Sequence, residues 1–122
     1  MPSERSLQTS AALMAVISLG HTVTANAFMS DPQFRRLPHT VSTFSRAGWF
    51  QGSVYLLVSA LINYRWSRNP KALTDPIEKA IAGLLAAVLA GSAVWYKKKG
   101  ISGTSAVVAI GSAVQAWAAF GS

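Results

Sequence analysis

Charge divides this chain more sharply than any other property. Residues 6–30, 47–64, 80–96 and 101–122 contain no Asp, Glu, Lys or Arg. Each stretch approaches or exceeds the roughly 20 helical residues that a hydrocarbon core requires. A spanning sheet must close into a barrel, which shows as alternating segments of about 10 residues. These stretches instead run in Ala, Gly, Leu and Ser without that alternation. The expectation is an all-α, membrane-embedded four-helix bundle, with transmembrane helices at 6–28, 47–65, 76–96 and 103–120. Residues 1–122 then form a single polytopic domain, an integral multi-pass membrane protein in contact with the lipid bilayer.

The charged fraction is 12%, about half the roughly 25% of a soluble domain. The formal charge of +7 raises the question of nucleic acid. The basic residues, however, cluster between the uncharged stretches rather than recurring along a helix face, so no nucleic-acid partner is expected. The absence of cysteine excludes disulfides, thiolate metal sites and cysteine nucleophiles.

Punctuation at the span ends agrees with this division. Trp49 and Phe50 open the second span, Tyr64 and Trp66 close it, Trp95 and Tyr96 close the third, and Trp117 and Phe120 close the fourth, as headgroup boundaries select. Asp75-Pro76-Ile77-Glu78 reads as a helix start with a capping Asp, a first-turn proline and a capping-box Glu. Lys97, Lys98 and Lys99 before Gly100 read as a helix end. Residues 1–27 carry a second reading, a cleaved secretory leader, because a ten-residue apolar run precedes the small-x-small sequence Ala25-Asn26-Ala27. Lys and Arg number five on one side of a four-span arrangement and six on the other, which leaves orientation open.

At 100° per residue, three spans separate into two faces. The first groups Ala11, Met14, Ser18, His21, Thr22 and Ala25 opposite Val16, Leu19 and Val23. The second groups Gly48, Gln51, Gly52, Tyr55, Ser59 and Asn63 opposite Phe50, Val54, Leu57 and Leu61. The fourth groups Ser105, Ala109, Ser112, Gln115 and Ala116 opposite Val107, Ile110 and Val114. An ionisable side chain within a span is costly and marks a candidate site. His21 and Tyr55 are therefore the candidate catalytic residues, an imidazole for proton transfer and a hydroxyl to meet a developing oxyanion. Gln51, Asn63 and Gln115 are candidate binding residues for a lipophilic small molecule. Arg35 and Arg36 join them from the basic loop at 31–46, a candidate lid that could hold an anionic group.

Absences narrow the field. The four acids, Glu4, Asp31, Asp75 and Glu78, lie at or beyond the span ends, so no intramembrane carboxylate is available for proton-coupled transport. Two histidines are too few for a His-rich metal site, and no phosphate-binding loop or nucleophile elbow occurs, so no metal or cofactor is expected. Two functional readings follow. One is a membrane-embedded enzyme or binding protein acting on a lipophilic small molecule by acid–base chemistry. The other is a non-enzymatic accessory or assembly subunit docking on a membrane protein partner, or on a second copy, through Gly83, Ala87 and Gly91, a row that allows close helix approach.

Overall fold

Capping side chains start three of the helices, at Asp75 as the sequence places it and at Ser3 and Asp31. The computed structural model describes all 122 residues. It contains α1 (Glu4–Met29), α2 (Pro32–Arg35), α3 (His39–Arg68), α4 (Pro76–Lys98) and α5 (Ser102–Ala116), and no strand. A 3-10 turn, Pro70–Thr74, joins α3 to α4, and α5 ends in a wider π turn, Trp117–Gly121. Ser3 accepts from the Ser6 amide at 3.1 Å to open α1, and Asp31 accepts from Gln33 at 2.7 Å to open α2. Asp75 accepts from both Ile77 and Glu78 to open α4. Each thereby satisfies first-turn donors that would otherwise lack a partner.

The end of α4 explains the tight turn into α5. Gly100 adopts φ 78°, the left-handed conformation that a residue without Cβ takes at little cost. The Ile101 amide then reaches the Tyr96 carbonyl at 2.9 Å and the Gly100 amide reaches Lys97 at 3.1 Å. This Schellman pair satisfies the last carbonyls of the helix. Segment 31–46, read from sequence as a loop, is largely helical: it holds α2 and the first two turns of α3, interrupted at Leu37 and Pro38. A proline has no amide to continue α2, yet its fixed φ suits the residue that precedes a new helix.

The four long helices alternate in direction. Ser18 Oγ donates to the Ser53 carbonyl at 2.9 Å, pairing α1 antiparallel with α3. Ser105 and Ser112 donate to the carbonyls of Ala93 and Ala86, at 2.7 and 2.8 Å, pairing α4 antiparallel with α5. The hairpins meet chiefly through α1 and α5, where Gly111 admits the tips of Ile17 and Leu89. Between α3 and α5, Asn63 and Gln115, both fully buried, exchange amide hydrogen bonds of 2.6 and 3.1 Å. At the far end Trp66, also fully buried, donates to Glu78 at 2.9 Å.

Burial follows the faces of the sequence in an unusual sense. Ser10, Ser59, Asn63 and Gln115 are fully buried, whereas Leu19 is 70% exposed, Leu84 65% and Leu61 61%. A helix in water hides its apolar stripe; these helices bury Leu7, Met14, Leu56, Leu85 and Leu89 but turn a larger set of Leu, Val, Ile and Phe outward. Three helical segments, α1, α4 and α5 with its π turn, are long and apolar enough to cross a membrane. The fourth expected span lies in α3, which is longer but does not reach the same apolarity, because the exposed Gln51 and the buried Ser53, Ser59 and Asn63 dilute the average while Phe50, Val54, Leu57 and Leu61 keep the outer face apolar.

If Asp75 carries the start of α4, Asp75→Ala should cost about 1 kcal/mol, a typical N-cap loss. Thermal unfolding in detergent reads this directly. An unchanged midpoint would contradict the cap.

Candidate functional site

Because α3 and α4 stay further apart than the helices within each hairpin, a cavity of about 440 Å³ opens between them. It is half open to the surroundings, and its size lies within the range of small-molecule sites, about 300–1,000 Å³. α1 contributes His21, and α3 contributes Gly48, Trp49, Gln51, Gly52, Tyr55 and Leu56. The opposite wall is Val88, Leu89, Ser92 and Tyr96 of α4 with Thr104 and Val108 of α5. No carboxylate lines it.

His21 is fixed from three sides. Its Nδ1 lies 2.8 Å from Ser53 Oγ. Its ring stacks on Trp49, with centroids 3.9 Å apart and planes at 10°. The Trp49 indole N–H in turn donates to the His21 carbonyl at 2.7 Å. The third side is Gly52, where a Cβ would stand 3.0 Å from His21 Cε1 and 3.2 Å from Nε2. A glycine here is therefore what lets the imidazole lie against the α3 backbone.

Tyr55 is the strut across the gap. Its hydroxyl donates to the Leu85 carbonyl at 2.5 Å, linking α3 to α4 beside the cavity. That bond occupies its only proton, so its lone pairs are what remain for a ligand. An aromatic series also runs from segment 31–46 to the site. Phe34 of α2 packs edge-on against Phe28 at 5.5 Å, and Phe28 against Trp49 at 4.7 Å. Arg46 lies over the Phe34 ring at 5.2 Å. The outer face of this series forms a shallow recess of about 330 Å³ with Asp31, Gln33 and Leu37.

Of the residues singled out from sequence, His21, Gln51 and Tyr55 share the cavity wall. Asn63 and Gln115 do not line it; they are engaged with each other further along α3 and α5. Arg35, the last residue of α2, and Arg36, its C-cap, are exposed, also away from the cavity lining. Ser53, Trp49, Ser92, Tyr96 and Thr104 were not singled out as site residues. The signal for α4 was present: Leu85, Leu89, Ser92 and Tyr96 recur at four, three and four residues, the spacing of one helix face. The pairing of Ser53 with His21 joins residues 32 apart in the chain and leaves no local signature. No group of three His, Asp or Glu side chains is placed to hold a metal ion.

Gly52→Ala tests the close approach through its sign. Alanine improves helix propensity by about 0.5–1 kcal/mol, but overpacking against a ring held by Ser53 and Trp49 costs about 1–3 kcal/mol. Gly52→Ala should therefore destabilise the native chain and stabilise the His21→Ala variant. Stabilisation in both backgrounds, measured by thermal unfolding in detergent, would contradict the packing of His21 on Gly52.

Comparison with protein-family models, curated proteins and solved structures finds no match to this chain.

Proposed function

We propose that the chain crosses the membrane four times as a helical bundle and binds a lipophilic small molecule in the cavity between its hairpins, with His21 as an acid–base group. The observation that carries this reading is the burial pattern: many Leu, Val and Ile side chains turn outward, and between the hairpins lies a ligand-sized, largely apolar cavity with a histidine and a few other polar groups in its wall. Outward Leu and Val suit lipid, and α3 joins the other three because its outer face is as apolar as theirs.

The chemistry then follows from the residues. His21 is oriented by Ser53 and Trp49, as an acid–base group must be to meet one substrate atom repeatedly. Gln51, exposed at the mouth, and the Tyr55 oxygen supply further polar contacts. Asn63 and Gln115 act as an interhelical tie rather than a direct contact. Arg35 and its C-cap neighbour Arg36 offer charge to an anionic group outside the cavity, and the series Phe34, Phe28, Trp49 couples that segment to His21, which gives the lid reading of 31–46 a physical path.

A second reading keeps one observation of its own. A Cβ at Gly83 or Gly91 would meet nothing within 4 Å, and Ala87 between them is exposed. The small-residue row of α4 is thus unused within the chain and suits an accessory subunit that docks on a partner helix.

Mass spectrometry of the detergent-purified protein separates the two readings, because a stoichiometric lipophile supports the first and a stoichiometric protein the second. Within the first, His21→Gln should retain the lipophile while any turnover of it falls about 10²-fold or more, the lower end of acid–base contributions. His21→Leu should lose retention as well. Full turnover in His21→Gln would overturn the catalytic role.

A further inference from the structure

We infer that His21 is held as the Nε2–H tautomer and that the cavity selects a lipophile whose polar end is a carbonyl oxygen, accepted by that N–H. This inference rests on the ligand-binding reading above and specifies the ligand's chemistry.

A neutral imidazole carries one proton, and the bond made by one nitrogen decides the role of the other. Nδ1 has a single partner, the Ser53 hydroxyl at 2.8 Å. In a helix such a hydroxyl ordinarily donates back to a carbonyl three or four residues earlier. Ser59, Ser67 and Thr22 do so here, at 2.7–2.8 Å. Ser53 makes no such bond; its only hydrogen-bond contact through Oγ is His21 Nδ1. The Ser53 proton therefore points to Nδ1, and the ring proton resides on Nε2.

Nε2 belongs to a side chain in the cavity wall and has no partner within the chain. A ligand that satisfies it must accept. The rest of the polar wall is compatible with this: Gln51, Ser92, Tyr96 and Thr104 can donate or accept, and Tyr55 can only accept, so His21 Nε2–H is the free group whose partner must be an acceptor. A carbonyl matches this arrangement while leaving the remainder of the molecule apolar, as a half-open cavity between outward-apolar helices requires. Two sources share that chemistry, a ring ketone of the quinone type and the ester of an acyl chain.

Two measurements test the inference. In purified protein labelled with ¹⁵N-histidine and carrying His39→Gln, the imidazole nitrogen shifts report the tautomer of His21. The expected result is Nε2–H, with Ser53→Ala mixing in the Nδ1–H form; a dominant Nδ1–H signal in the native chain overturns it. Binding is then followed with three probes of equal tail length: a decyl benzoquinone, a methyl ester and decylbenzene. Either carbonyl probe should bind about tenfold more tightly than decylbenzene, the worth of about 1.4 kcal/mol. His21→Phe should abolish that preference, and His21→Gln should keep most of it. A preference for the quinone or for the ester identifies the source. Equal binding of all three sinks the carbonyl inference but leaves a lipophile pocket; absence of binding by any probe sinks both.

Discussion

Serine hydroxyls bonded to the backbone of a neighbouring helix set the geometry on which everything else in this molecule depends. Ser18 reaches the Ser53 carbonyl, Ser105 reaches Ala93 and Ser112 reaches Ala86, each at 2.7–2.9 Å. A side chain this short can bridge two helices only when their backbones lie close, so the contact faces must be made of Ser, Ala and Gly. Small and polar residues are thereby drawn into these contacts, Leu7, Met14, Leu56, Leu85 and Leu89 fill the interior between them, and most of the other large apolar side chains face outward. In water that arrangement would forfeit the hydrophobic contribution of about 25 cal/mol for every Å² of apolar surface left exposed. In lipid it forfeits nothing, because acyl chains are as apolar as Leu.

The same constraint produces the cavity. Serine bridges tighten each hairpin, and Gly111 seats α1 against α5, but no comparable bridge joins α3 to α4. There the connections are longer side chains, Tyr55 to the Leu85 carbonyl and Trp66 to Glu78. Longer struts hold the helices apart, and the gap is lined by a mixed wall, with His21, Gln51, Ser92 and Thr104 set among Trp49, Leu56, Val88, Leu89 and Val108. Gly52 adds a local exception: the missing side chain admits the His21 ring, which Trp49 covers and Ser53 orients. Position, packing and hydrogen bonding thus converge on a single imidazole without any charged neighbour in the cavity wall.

Much of the fold was legible in the sequence because its determinants are local. Asp75 and Gly100 act through bonds to residues within three positions, Pro76 acts through its own fixed φ, and the uncharged stretches announce helices by length alone. The opposition of Ser18 and Val16, or of Ser59 and Leu57, is a property of helical period and was likewise readable. The candidate site was legible only in part. His21, Gln51 and Tyr55 meet because they lie on inward faces at matching heights. Asn63 and Gln115 satisfy the same periodicity yet pair with each other, since two buried amides stabilise the interior most by exchanging their own bonds. Arg35 and Arg36 are carried away from the cavity by the short helix that Asp31 and Pro32 start. Ser53 and Gly52 gain their roles only from which residue of α1 lies across from them, a register that no single segment encodes.

Because the chain has no cysteine, single spin labels can be introduced without background, and their collision rates with oxygen and with a water-soluble nickel complex report directly on the outward faces. The informative positions are Leu84 and Ile110 on α4 and α5, and above all Leu57 on α3, the helix whose average apolarity is lowest relative to its outer face. In lipid vesicles, a four-span bundle with these side chains outward places all three labels in the hydrocarbon, where oxygen collides readily and nickel does not. Nickel access at Leu57 comparable to that of an exposed label on α2 would show that α3 lies outside the membrane and would contradict the bundle.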